Sequence, residues 1–367
     1  MSPLLAIAAR RSLPDENLFR GAPPKPGNHL LKFRSFRYQE CRERAMKTKA
    51  ASKKSTSTGR GPIARKVIAS ARQQLQQKVT NIADWRQARL GAEEYQKTII
   101  SKNQLSEYDP LHGLYIYAQN QLSVLIEQMI GLPMLDNLAD AYAAAQEEYM
   151  PSGPPMSPLT TSYFTSWGFF DLCSSGAKKE SLCTVATDFC KFQQVDEGLV
   201  TLFETMQASR MGIYRHEGAS NRFVFLRELV TNERVKAISP SGYRGNAGEV
   251  WFARVLPPPF QPAAFDYSLV FTTPYVLGKC GPRREFVPLV EEDWLAFFKR
   301  NLPRTNQDTE APAYAHLMKY GLSRNYWNEF VFLAYRNHRH DMILLEGFPD
   351  LPATLPHTPE GSRRLGV

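Results

Sequence analysis

Between residues 211 and 273, five short runs rich in β-branched and aromatic residues follow one another: MGIYRH (211–216), RFVFLREL (222–229), RVKAIS (234–239), EVWFARVL (249–256) and DYSLVFTT (266–273). They are separated by EGASN, a short turn, PSGYRGNAG and a proline-rich break at 257–262. Short strands at this spacing, punctuated by glycine, asparagine and proline, predict a small antiparallel barrel or curled sheet. EVWFARVL alternates, placing Trp251, Ala253 and Val255 on one side and Phe252 and Arg254 on the other. FVFL (223–226) has no polar side, which predicts a central strand covered on both faces.

The flanking texture is helical. After Gly61-Pro62, residues Ile63, Val67, Ala71, Leu75 and Val79 recur near a period of four, predicting an amphipathic basic helix that Pro62 opens. A second helix follows Pro110 and stops at Gly131, with Pro133 behind it. A third, alanine-rich and acidic, spans roughly 133–148. Helical patterns resume at 159–173, 177–192 and 196–209, and again at 290–300, 311–321 and 324–338, with MILLEG (342–347) as a final strand. The fold class is therefore α+β: a helical N-terminal half, then a small antiparallel β-barrel-like module at about 211–273, bracketed by C-terminal helices. The segments are a disordered basic tail (1–61), a helical segment (62–149), a Pro/Gly-rich linker or loop, MPSGPPMSP (150–158), a helical group (159–210), the β module with its packed C-terminal helices (211–347), and an irregular proline-rich tail (348–367).

Charge is segregated along the chain. The formal net charge is +9, yet residues 1–80 hold 18 Lys/Arg against 4 Asp/Glu, so everything beyond is slightly acidic. The basic end, with the run KTKAASKKSTSTGRG (47–61), cannot bury enough surface to offset its ordering entropy. Over 47–78 it forms an arm and a basic helix in which Lys53, Lys54, Arg60, Arg65, Lys66 and Arg72 can neutralise phosphates, giving weak, salt-dependent, non-specific nucleic-acid contact. No window reaches about 18 apolar residues, so no membrane span is expected. Five cysteines, an odd number in so long a chain, fit a reducing compartment, and the cytoplasm is the expected location.

The segment with the most chemical potential is NHRHD (337–341). In an extended segment His338 and His340 project to one side and, with Asp341, form part of a metal site; on a helix they lie about 200° apart and cannot share an ion. A third ligand would come from His316, His216, His112, a cysteine or a carboxylate. The aromatic run before it (YWNEFVFLAY) has helical spacing, which favours a helix C-terminus whose basic residues complement the dipole. Cys183 and Cys190, seven apart on one helix, lie about 10 Å from each other by helical rise, too far to bridge, and are read as core residues. Cys280, in the basic stretch GKCGPRRE, is a candidate reactive thiol. SGYRGNAGE (241–249) reads as a hairpin loop, and the paired carboxylates Glu93-Glu94, Glu147-Glu148 and Glu291-Glu292-Asp293 as solvated helix ends. Walker, dinucleotide-binding, nucleophile-elbow and HExxH motifs are missing.

With no catalytic constellation and a substantial core, the sequence leads to a soluble, non-enzymatic macromolecular interaction protein. It needs no cofactor, and its protein partner is left open. The alternatives are a metal-dependent hydrolase using His338, His340 and Asp341, and a nucleic-acid-associated protein using the 47–78 arm.

Overall fold

A computed structural model of the protein describes residues 60–76, 98–150, 160–174, 179–260, 264–280, 286–288, 291–321 and 344–346. Helix α1 (Pro62–Gln76) begins at the proline the sequence marked. The amides of Ile63 and Ala64, which have no partner within the helix, donate to the buried Glu180 carboxylate at 3.0 and 2.9 Å. That approach requires Gly61, since a Cβ there would come 2.0 Å from the Glu180 carboxyl carbon. The short α2 (Lys102–Leu105) has a capping box from Ser101 and Gln104. Asp109 caps α3 (Pro110–Met129), a 3-10 turn (Pro133–Leu135) leads into α4 (Asp136–Tyr149), and Asp196 caps α7 (Glu197–Ala208).

Two expected helices are shorter than their periodicity suggests. The one over 159–173 is α5 (Thr161–Ser166) running into a π-helical turn (Trp167–Asp171), and the one from 177 starts only at α6 (Leu182–Phe192). Cys173 and Ser181 form an isolated antiparallel bridge, and Ser181 then caps α6 through the amide of Thr184, which sets where that helix begins.

The five anticipated strands are present as β1 (Met211–Ser220), β2 (Phe223–Glu228), β3 (Arg234–Ile238), β4 (Val250–Leu256) and β5 (Ser268–Val270). They close into a ring in the order β1-β2-β3-β5-β4 and back to β1. Closure depends on β1 serving two partners, Met211–Arg215 with β4 and Tyr214–Ser220 with β2. The register slips between His216 and Gly218, where Gly218 has φ +132°, the bulge that lets so long a strand turn the corner. The ring is antiparallel except where β3 meets β5, which runs parallel because β4 intervenes in the chain between them. Two further strands that the sequence reading missed, β6 (Tyr275–Cys280) and β7 (Phe286–Pro288), and the expected β8 (Leu344–Glu346) extend the sheet from β4.

Tyr214, Val224, Leu226, Ala237, Trp251, Ala253, Val270 and Val276 fill the barrel. Outside it, α1, α3, α6 and α7 share a core with Ile238, Leu256, Tyr267 and Leu269. On another side, Ile213, Phe252, Tyr275 and Leu277 pack against α5, α8 (Glu291–Asn301) and α9 (Glu310–Tyr320), through Tyr163, Trp294, Phe298, Tyr314 and Leu317. Helices thus sheathe two sides of the barrel; between them, among the described residues, the outer surface of β2 and β3 is open around Phe225 and Lys236, while Phe223 and Ile238 pack toward the first helical core and Arg227 is tied to Glu291 of α8. Among the described residues no helix is long and apolar enough to cross a membrane.

Candidate recognition face

The bare side departs from expectation. Along β2, Val224 and Leu226 point into the barrel, while Phe223 and Arg227 are half-buried and Phe225 is 37% exposed on the outside. A strand without a polar side was expected to be covered twice; here Phe223 of the second row packs at the edge of the helical core, while Phe225 faces solvent. Lys236 sits across from Phe225 in the ladder. Phe223 leans on Tyr267 with ring centroids 5.4 Å apart, and the Arg222 guanidinium lies 5.1 Å from both rings. The Lys236 ammonium is 4.3 Å from the Phe223 centroid. The Phe223 ring is therefore already engaged by two cations and a neighbouring ring, whereas Phe225 stands clear.

Each cation on this face has a carboxylate behind it. Asp109, while capping α3, accepts from Arg222 at 2.7 Å and from the Tyr267 hydroxyl at 3.0 Å; burial and this carboxylate push the Tyr267 hydroxyl up to about 12. Arg227 bridges Glu291 (2.8 Å), Glu217 (3.3 Å) and Asn232 (3.0 Å), and its hydrogen bonds to Glu291 raise its pKa. Arg234 shares Glu217 at 3.3 Å, and Lys236 meets Asp266 at 2.7 Å, which lowers the pKa of that carboxyl. This pairwise order is not legible in the sequence, because Asp109 lies 113 residues from Arg222 and Glu291 64 from Arg227.

The sheathed side holds a different kind of charge. Asp171, at the end of the π turn, binds the fully buried Arg254 of β4 and lies 3.3 Å from Lys319 of α9. Arg254 also donates to the Ser209 carbonyl (3.1 Å) and hydroxyl (3.0 Å), and Lys319 to the Ser209 and Gln207 carbonyls that end α7. Burial pulls the Lys319 pKa down while Asp171 opposes it. Nearby, Arg210 holds the buried Glu228 through bonds of 2.7 and 3.0 Å, Thr231 adds one of 2.7 Å, and Arg210 covers the Tyr314 ring at 4.6 Å. Most donors and acceptors in these clusters pair with one another, the buried Arg254 Nε being left without a partner, and the pairs fasten segments that are far apart in the chain.

The other sequence candidates do not assemble. His112 lies in the first turn of α3 against Tyr108, and burial lowers its pKa to about 4 with Asp109 opposing. His216 is buried against Trp251, its Nδ1 accepting from the Gly218 amide at 3.2 Å; burial lowers its pKa, Glu249 opposing. His316 on α9 has its Nε2 2.9 Å from the Lys179 ammonium. These three sit in separate parts of the fold, and among the described residues no group of three His, Cys, Asp or Glu side chains is placed to hold a metal ion. His338, His340 and Asp341 lie outside the described residues.

Cys183 and Cys190 are buried as expected, their thiols pushed up to about 12 by that burial. Cys280 closes strand β6, where GKC had been read as part of a basic loop. The loop 241–249 joins β3 to β4, which do not pair, so it is a crossover and not a hairpin. Glu249 folds it by accepting from Tyr243 (3.0 Å), Asn246 (3.0 Å) and Trp251 (2.8 Å). In the basic arm, Arg60, Arg65, Lys66 and Arg72 are exposed, the last 5.0 Å over Phe192, while Lys53 and Lys54 lie outside the described residues.

Comparison with protein families, with curated proteins and with solved structures finds no match to this chain.

Proposed function

We propose that this chain is a non-enzymatic binding protein that receives another macromolecule on the open β2–β3 face of its barrel. The observation that carries the reading is Phe225: a large apolar side chain held out on a rigid, closed barrel and ringed by paired charges, while helices cover two other outer surfaces. An exposed aromatic within a polar, arginine-containing surround is the composition of a recognition patch. Small five-stranded Greek-key barrels elsewhere use the face of strands 2 and 3 for binding, an analogy of fold that agrees with the reading.

The test is a photo-crosslinking amino acid placed at Phe225 of the full chain, irradiated in cells of the organism the sequence comes from. A discrete macromolecular adduct is expected from position 225 and not from Leu295, the other exposed large hydrophobic residue among the described residues, which lies on α8. Equal yields from the two positions, or none from 225, would sink the reading.

A further inference from the structure

Resting on that reading, we infer that the occupant of the β2–β3 face is a protein presenting an apolar pocket rimmed by carboxylates, which takes Phe225 as a knob and pairs with Arg222 and Arg234. Three observations lead there. A strand cannot add to this face, because β2 is hydrogen-bonded to β1 and β3, and β3 to β2 and β5, so contact is through side chains alone. A polynucleotide track needs several open rings for successive bases; here Phe223 and Tyr267 are occupied by each other and by Arg222, with Lys236 also over Phe223, which leaves Phe225 as one ring.

The third observation is which half of each ion pair meets solvent. The Arg234 side chain is 76% exposed against 29% for its partner Glu217, and Arg222 56% against 12% for Asp109. In these two pairs the carboxylate lies beneath and orients the guanidinium, which presents its remaining donors outward. Asp266, 79% exposed beside Lys236, and the exposed Glu233 next to Arg234 are acids that also face solvent, and Arg227 is no more exposed than its partners Glu291 and Glu217. An incoming carboxylate would find two preset bidentate donors flanking an aromatic anchor. The basic tail of this same chain has the wrong sign to occupy the face.

The experiment extends the crosslink at position 225. The adduct is digested, the attached component identified, and that component purified and titrated against the full chain, wild type and with Arg222→Gln and Arg234→Gln together. Expected are a protein whose crosslinked peptide lies beside clustered Asp or Glu, an affinity at least tenfold weaker for the double variant, and weakening of the wild-type complex as salt rises from 50 to 500 mM. Glutamine at both positions keeps the hydrogen-bonding stems, and an unchanged thermal midpoint confirms that the barrel is intact. A polynucleotide adduct, a crosslink to this chain itself or to a second copy, or a protein indifferent to both salt and the double substitution would overturn the inference while leaving a binding face at β2–β3. Failure to form any adduct would remove both.

Discussion

The two sides of one barrel handle charge in opposite ways. On the sheathed side, Asp171 and Arg254 are buried, Lys319 is nearly so, and their hydrogen bonds tie together residues far apart in the chain. On the bare side, the ion pairs are half in water, and the guanidinium groups of Arg222 and Arg234 are the exposed halves. Buried pairs of the first kind are costly to break one member at a time, because the survivor is left charged without a partner; exposed pairs contribute little to folding. One barrel therefore carries a buried fastening and a set of solvent-exposed ion pairs that can be altered separately.

The sharpest way to break that contrast is Asp171→Ala, which strands Arg254 and Lys319 together. Chemical denaturation should show a loss of about 3–5 kcal/mol, and a loss below about 1 kcal/mol would mean that the sheathed cluster is no fastening.

Acid probes the seam between the two regions, where His112 sits beside Asp109. Its folded pKa of about 4 is below the ordinary 6.5 of the unfolded chain, so the unfolded state binds the proton first. The associated stability is full above pH 6.5, falls as pH drops toward about 4, and amounts to about 3 kcal/mol. His112→Gln should flatten the stability-against-pH curve in that window, as followed by urea midpoints at successive pH values.

Next in size is Glu180→Ala, which leaves the amides of Ile63 and Ala64 without an acceptor at the start of α1. It should cost about 1–2 kcal/mol, with the earliest loss of hydrogen-exchange protection in α1.

The smallest effect on folding, and the most telling for function, belongs to Phe225→Ser. Stability should stay within about 0.5 kcal/mol of wild type, while binding of the partner identified by crosslinking is abolished; a large destabilisation would show that Phe225 is a packing residue after all.

Much of the scaffold could be read from local pattern. Pro62, Gly131 and the alternation in EVWFARVL each act within a few residues, so helix starts, helix stops and the inward row of Trp251 and Ala253 were accessible. What escaped is what only tertiary pairing creates. Arg254 looked like the polar residue of a strand face, and nothing near it in the chain announces Asp171, 83 residues away. Gly61 read as the end of a tail, and its need for no side chain appears only when Glu180 arrives from 117 residues downstream of Ile63. FVFL misled for the same reason: composition shows that Phe223 and Phe225 are apolar, but whether a layer covers them is decided by where the helices go. The proposed face is thus visible as an inconsistency, an apolar strand residue, Phe225, exposed among the described residues, once the fold is known.

The involvement of Lys319 also has a kinetic side. Synthesis delivers Asp171 and Arg254 to the growing chain well before Lys319, with an interval on the order of several seconds at usual ribosomal speeds. During that interval the carbonyls of Gln207 and Ser209 lack one of their donors and Asp171 has only its arginine. Completion of the cluster is consequently timed by the emergence of a single lysine.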